Sequence, residues 1–240
     1  MNNATEFLSY FNKIEDLLKK KARLNNKFSG YMTFNDLIRE SSRFNSIVRR
    51  FSSDMKEYAE LRNAIVHGSK DDEIIAMPLP KTVKEIKRIF DKLNTPPLAS
   101  KFRKEKVILL SINDPLSKAL ELMLKHAFSQ MPVLENDRIV ALLSSNAISR
   151  WLANNINEDI ISILETEVYD ILAHAEFKEN FRILSARTNC YDILEVFQRS
   201  ITSGQYLEAV ILTQNGKPNE DPIGIFTIWD LPMLEKALNS

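Results

Sequence analysis

Cysteine is almost missing from this chain: Cys190 stands alone among 240 residues. No internal disulfide can form, and a cytoplasmic setting is the default expectation. Glycine is nearly as scarce, at five residues. No Gly-rich loop is present to cradle phosphates, and no Gly-x-Ser-x-Gly elbow to carry a serine nucleophile. The three histidines are His67, His126 and His174. His126 and His174 have no clustered cysteine or carboxylate partners at ligand spacing and read as surface or loop residues, and no metal site is expected. No apolar run approaches the length of a membrane-spanning helix. The opening Met1-Asn2-Asn3-Ala4-Thr5-Glu6 lacks the basic start and apolar core of a secretory signal, so no membrane partner is expected.

What the chain does have is ordinary globular composition, 44% hydrophobic and 27% charged. Its zero net charge hides an uneven distribution. Residues 1–105 hold 21 basic against 14 acidic side chains, and residues 106–240 hold 11 against 18. Two units with different partners are implied, the first the better suited to a polyanion.

The front half reads as four helices. Phe7, Leu8, Phe11, Ile14, Leu17 and Leu18 recur at three- and four-residue steps over residues 4–24, the period of an amphipathic helix. A second helix is expected over 33–50, capped by Thr33, with Phe34, Leu37, Ile38, Phe44, Ile47 and Val48 as its apolar stripe. A third, about 54–67, turns Met55, Tyr58, Leu61, Ile65 and Val66 inward. A fourth is expected from a Thr82–Glu85 capping box to Asn94. Four helices with short connections make a bundle.

The third helix ends in Leu61-Arg62-Asn63-Ala64-Ile65-Val66-His67, followed by Gly68. Asn63 and His67, four apart, share a helix face. Arginine can hold a phosphate's charge and histidine titrates near neutrality, so the trio suits phosphodiester chemistry. The bland alternative is structural: Arg62 pairing with Glu60 or Asp54, and His67 favoured at a helix end by the dipole. Arg-Asn-x3-His near a helix end, in a helical domain of this size, resembles the HEPN family. The resemblance implies a metal-independent ribonuclease whose site is shared across a homodimer. His67 would be general acid or base, Arg62 would stabilise charge on phosphorus, and Asn63 would orient.

Residues 96–105, with Pro96-Pro97 and the basic Lys101-Phe102-Arg103-Lys104, read as a linker after a first domain over 1–95. Then the pattern changes to strand, helix, strand, strand, helix, twice, about 74 residues apart. The expected repeats span 106–156 and 157–240, and such periodicity outranks any single motif. The first runs through Val107–Leu110, a helix after Pro115, and the hairpin strands Met131–Glu135 and Ile139–Leu143. The second runs through Phe181–Leu184, a helix from Cys190, and the strands Ala209–Leu212 and Ile223–Thr227.

Ser129-Gln130-Met131-Pro132-Val133-Leu134-Glu135 and Ile223-Gly224-Ile225-Phe226-Thr227-Ile228-Trp229-Asp230 resemble the strand-two and Gly-hydrophobic-x-Thr-x-x-Asp segments of a tandem CBS-domain pair. The resemblance implies an adenine nucleotide as regulatory ligand between the repeats, with Asp230 on ribose hydroxyls and Thr227 on ribose or phosphate. Asn189, opening the second repeat's first helix, is a further candidate. In the first repeat Ser144 stands for the threonine, but Ala147 stands for the aspartate, and a methyl group accepts no hydrogen bond. The second repeat should therefore supply the site. The alternative is a degenerate pair that serves only dimerisation or packing.

The fold class expected is thus multi-domain, a HEPN-like all-α four-helix bundle followed by an α+β CBS pair. The function expected is a nucleotide-regulated endoribonuclease acting as a homodimer on RNA, with no required cofactor. The alternatives are a non-catalytic nucleotide-sensing protein, or a component of a toxin–antitoxin or phage-defence system.

Overall fold

In a computed structural model the described residues are 2–25, 32–67, 76–102, 106–157, 162–176 and 180–239, the side chains of 22–25, 67 and 239 excepted. The chain divides into two units, residues 1–97 and 98–240.

The first unit contains five described helices: α1 (Asn3–Asn25), α2 (Phe34–Ser42), α3 (Ser46–Arg50), α4 (Ser52–His67) and α5 (Pro80–Asn94). Phe7, Phe11, Ile14 and Leu18 form one fully buried stripe on α1, at the steps that keep a helix face turned to its neighbours. That stripe packs on α2, α4 and α5. Phe11 meets Phe34 at a tilt of 37°, 4.4 Å between ring centres, and Phe7 meets Tyr58 edge-on at 5.8 Å. Burial and the nearby carboxylates of Asp54 and Glu85 push the Tyr58 hydroxyl up to about 12.

The expected second helix is two helices. Thr33 does cap α2, in a reciprocal box with Asp36. The chain then breaks at Arg43–Asn45, because Asn45 turns its Oδ1 onto the Val48 N–H at 3.0 Å and starts α3. A short amide that satisfies the next helix's orphan donors favours a restart over continuation. Phe44, expected in the apolar stripe, falls in the break and is 63% exposed. The fourth expected helix starts earlier than its expected cap. Pro80 occupies the first turn of α5, and Leu79 is its uncapped N-terminal neighbour. Proline's fixed φ and missing donor suit that position.

The second unit repeats one topology. The first repeat has β1 (Leu110–Ser111), α6 (Leu116–His126), β2 (Gln130–Glu135), β3 (Arg138–Ser144) and α7 (Ser145–Asn154). A short helix, α8 (Val168–Leu172), lies between the repeats. The second repeat has β4 (Phe181–Ser185), α9 (Cys190–Thr202), β5 (Ala209–Thr213), β6 (Gly224–Thr227) and α10 (Leu231–Asn239). Each sheet has three strands, with the central one parallel to the first and antiparallel to the third. The β2–β3 hairpin turns on Asn136 and Asp137, both at positive φ, as a two-residue hairpin that follows strand twist requires. The two sheets face one another through Ile139, Leu142, Ala209 and Ile211.

The segments leading into the repeats are exchanged. Leu98, within the stretch expected as linker, bridges to Asn189, and the Ala99 N–H donates to the Thr188 carbonyl at 2.9 Å. Correspondingly, Glu167 bridges to Pro115, and the Val168 N–H donates to the Asp114 carbonyl at 2.9 Å. Each leading segment thus closes the helix entrance of the other repeat, and backbone groups that would be orphaned there are paired.

Candidate functional site

The parallel ladders of the two repeats differ in length. β4 pairs with β5 over five residues, from Phe181↔Ala209 to Ser185↔Thr213. β1 pairs with β2 over two, Leu110↔Val133 and Ser111↔Leu134. Pro132 supplies the physical reason. The Leu134 carbonyl accepts the Ile112 N–H at 2.9 Å, so Leu134 turns its main-chain groups toward β1. Alternate strand residues face the same edge, so Pro132 does too, and it has no N–H to give. The equivalent residue of β5 is Ile211, which has one. Val107 to Leu109 therefore lie outside the ladder, and a cavity of about 440 Å³ opens beside them. That volume is in the range of small-molecule sites.

The cavity lies between the repeats. Phe102, Lys106, Val107, Ile108 and the His126–Gln130 turn line it from the first, and Ile225 to Thr227, Trp229 and Asp230 from the second. Thr227 and Asp230 are brought together by a local device. Thr227 caps the 3-10 turn Ile228–Asp230, its N–H and Oγ1 donating to Asp230 Oδ2 at 2.9 and 3.2 Å. The residues between project outward, and Trp229 is 81% exposed.

Chemically, this is a carboxylate and a hydroxyl for paired sugar hydroxyls, a lysine for an anion, and aromatic faces for a planar base. Asn189 is not among the cavity's lining residues. Its side chain caps α9: Oδ1 accepts from the Asp192 N–H at 3.1 Å, and Nδ2 donates to Asp192 Oδ2 at 2.6 Å.

Sequence reasoning missed Lys106, His126 and Phe128. His126 stacks on Phe128, ring centres 5.5 Å apart. Neither His126 nor Lys106 carries a local signal, because both matter only through the fold that lines them up. Trp229 lies inside the Thr-x-x-Asp spacing, which by itself assigned it no role.

The register also fixes the counterparts. Gln130 pairs with Ser144 and Ala209 with Thr227. Ser144 is the N-cap of α7 and accepts from the Ala147 N–H at 3.3 Å. Ser144 and Ala147 thus stand where Thr227 and Asp230 stand in the second repeat, and the carboxylate is absent.

In the helical unit, Arg62 Nη1 donates to the exposed Asn63 Oδ1 at 3.2 Å. His67 ends α4 in the backbone, while its side chain and Gly68 lie outside the described residues. A separate concavity of about 510 Å³ gathers Arg39, Arg49 and Lys56 from α2, α3 and α4, with Asn35, Ser42 and Ser52. Neither Arg62 nor Asn63 lines it. Among the described residues, no cluster of His, Cys, Asp or Glu could hold a metal ion, and no helix is long and apolar enough to cross a membrane.

Comparison with known proteins bears on the second unit. The CBS domain family model matches residues 99–154, which cover the first repeat. Solved structures align with the chain at low identity. The CBS domain of a CBS-domain-containing membrane protein from Sphaerobacter thermophilus is 15% identical, with TM-score 0.46 over 63% of this chain and 95% of that one. CBSX2 in complex with AMP is 14% identical, with TM-score 0.43 over 60% and 99%. The CBS domain pair of MJ0100, in complex with 5′-methylthioadenosine and S-adenosyl-L-methionine, is 14% identical, with TM-score 0.40 over 59% and 98%. No curated protein matches the chain.

Proposed function

We propose that a CBS-type pair in residues 98–240 binds an adenine nucleotide in the cleft between its repeats, and that the helical unit responds to it. The observation that carries this is the cavity that holds Thr227, Trp229 and Asp230 together with Lys106. Asp230 receives the ribose hydroxyls, Thr227 the ribose or phosphate, and Lys106 the phosphate charge. Trp229 covers the base. The chain acts as a homodimer, so ligand in one unit biases the arrangement of two helical units.

Isothermal titration of the full chain with AMP, ADP, ATP and S-adenosylmethionine tests this. At least one should bind, and Asp230→Ala should weaken it by about 10- to 100-fold, the worth of hydrogen bonds to a charged group. Trp229 also gives a direct readout, since Trp151, the other tryptophan, is buried. Ligand should change tryptophan emission in the wild type and not in Trp229→Phe. Binding that Asp230→Ala leaves intact would sink the assignment.

A second reading, a HEPN-like ribonuclease under nucleotide control, is favoured by the Arg62–Asn63 contact. In it, His67 moves the proton, Arg62 neutralises the phosphorane and Asn63 orients, in a site shared by two copies. RNA incubated with the wild type and with His67→Ala, each with and without nucleotide, decides. Cleavage lost in His67→Ala supports it, and equal cleavage or none refutes it. An activity of this kind would suit a toxin–antitoxin or defence system.

A further inference from the structure

We infer that the chain takes one nucleotide and not two, because the cleft related to the first by the internal repeat is filled by the protein's own carboxylate, Glu208. The inference rests on the nucleotide-binding reading above. The strand registers equate Ser144 with Thr227, and Glu208 with Ser129, each one residue ahead of its central strand. Asn180 stands four residues before Leu184, as Lys106 stands four before Leu110, and these two leucines are equivalent in the ladders.

The same three places have opposite environments. In the open cleft Lys106 and Ser129 are exposed and Thr227 is half-buried. In its counterpart Glu208, Asn180 and Ser144 are 9%, 5% and 3% exposed. Asn180 Nδ2 donates to the Glu208 carboxylate and also lies 3.4 Å from the Leu142 carbonyl. The Ser144 side chain favours the ionised form of the same carboxylate. The Asn180 carbonyl accepts the Glu208 and Ala209 N–H groups, at 2.7 and 3.3 Å. This carries the β4–β5 pairing past the end of its ladder, on the side where β1 and β2 stand apart.

A nucleotide entering here would meet a buried carboxyl group where the open cleft offers lysine, and would have to break hydrogen bonds that water does not replace. It would also find Ala147 in place of Asp230. Glu208 therefore acts as a plug that makes the two clefts unequal.

Equilibrium dialysis of the full chain with labelled AMP reads the stoichiometry directly. One AMP per chain, lost in Asp230→Ala, is expected. Two per chain, or one that survives Asp230→Ala, overturns the single-site inference and leaves the nucleotide reading standing. No binding of labelled AMP, ADP, ATP or S-adenosylmethionine by the wild type overturns both. The variant Ala147→Asp/Asn180→Lys/Glu208→Ser copies the open cleft and should raise the count from one to two. A folded variant that still binds one overturns the role given to Glu208. Should that variant not fold, the wild-type count and Asp230→Ala still decide.

Discussion

Asn189→Ala separates a helix cap from a ligand contact. The side chain makes two hydrogen bonds at the entrance to α9, and Asp192 returns the second half of the box by accepting the Asn189 N–H at 3.4 Å. Removing such a cap costs about 1 kcal/mol, and up to about 2 where the box is reciprocal. The Leu98↔Asn189 bridge is made by main chain and survives the substitution. At roughly 2–4 °C per kcal/mol for a unit of this size, the second unit's melting temperature should fall by about 2–8 °C. Nucleotide affinity should stay within about threefold, because Asn189 does not line the cavity. Asn189→Ser should recover part of the loss. Asn189→Asp should not, since it sets a second carboxylate against Asp192, now 2.6 Å from the amide. Circular dichroism melts alongside AMP calorimetry measure both quantities. An unchanged melting temperature with affinity down more than about tenfold would refute the cap reading and return Asn189 to the binding site.

Phe7→Ala removes a fully buried ring that packs on Phe11 and Tyr58. It should cost about 3–5 kcal/mol, which urea denaturation of the helical signal would show, while the cleft of the other unit keeps its affinity. Glu220 is held down to about 2 by the Asn215 side chain and backbone N–H. Its stabilising contribution is therefore present above the ordinary glutamate value of 4.5 and is lost as pH falls toward about 2. Glu220→Gln should flatten the acid fall of the melting temperature, and an unchanged slope would contradict the assignment. Glu208 runs the other way: burial pushes its carboxyl up. Stability tied to its protonated form is complete below its unfolded value and is lost as pH rises through the folded one. Glu208→Gln should then raise the melting temperature near neutral pH more than at about pH 4, and a larger gain at acid pH would contradict it.

Much of this molecule can be read within a few residues of any point. The periods of α1, α5, α6 and α9, the Thr33 and Asn136-Asp137 turns and the doubled strand-helix-strand-strand-helix order are all written locally. So is the Thr227–Asp230 pairing. Helix faces, caps and hairpins depend on groups one to five positions apart, and their hydrogen bonds close within that span. Even the break after α2 had its signal in Asn45, an amide placed to start a helix. Tertiary structure decided what local spacing cannot carry. It set Asn189 to capping and turned Lys106 and His126 toward a shared cavity. It left one cleft open at Pro132 and closed its counterpart with Glu208. Those outcomes depend on which strands pair, in what register, across dozens of residues. A proline's missing donor or a glutamate's charge has no consequence until the neighbouring strand is in place to need the one or bury the other.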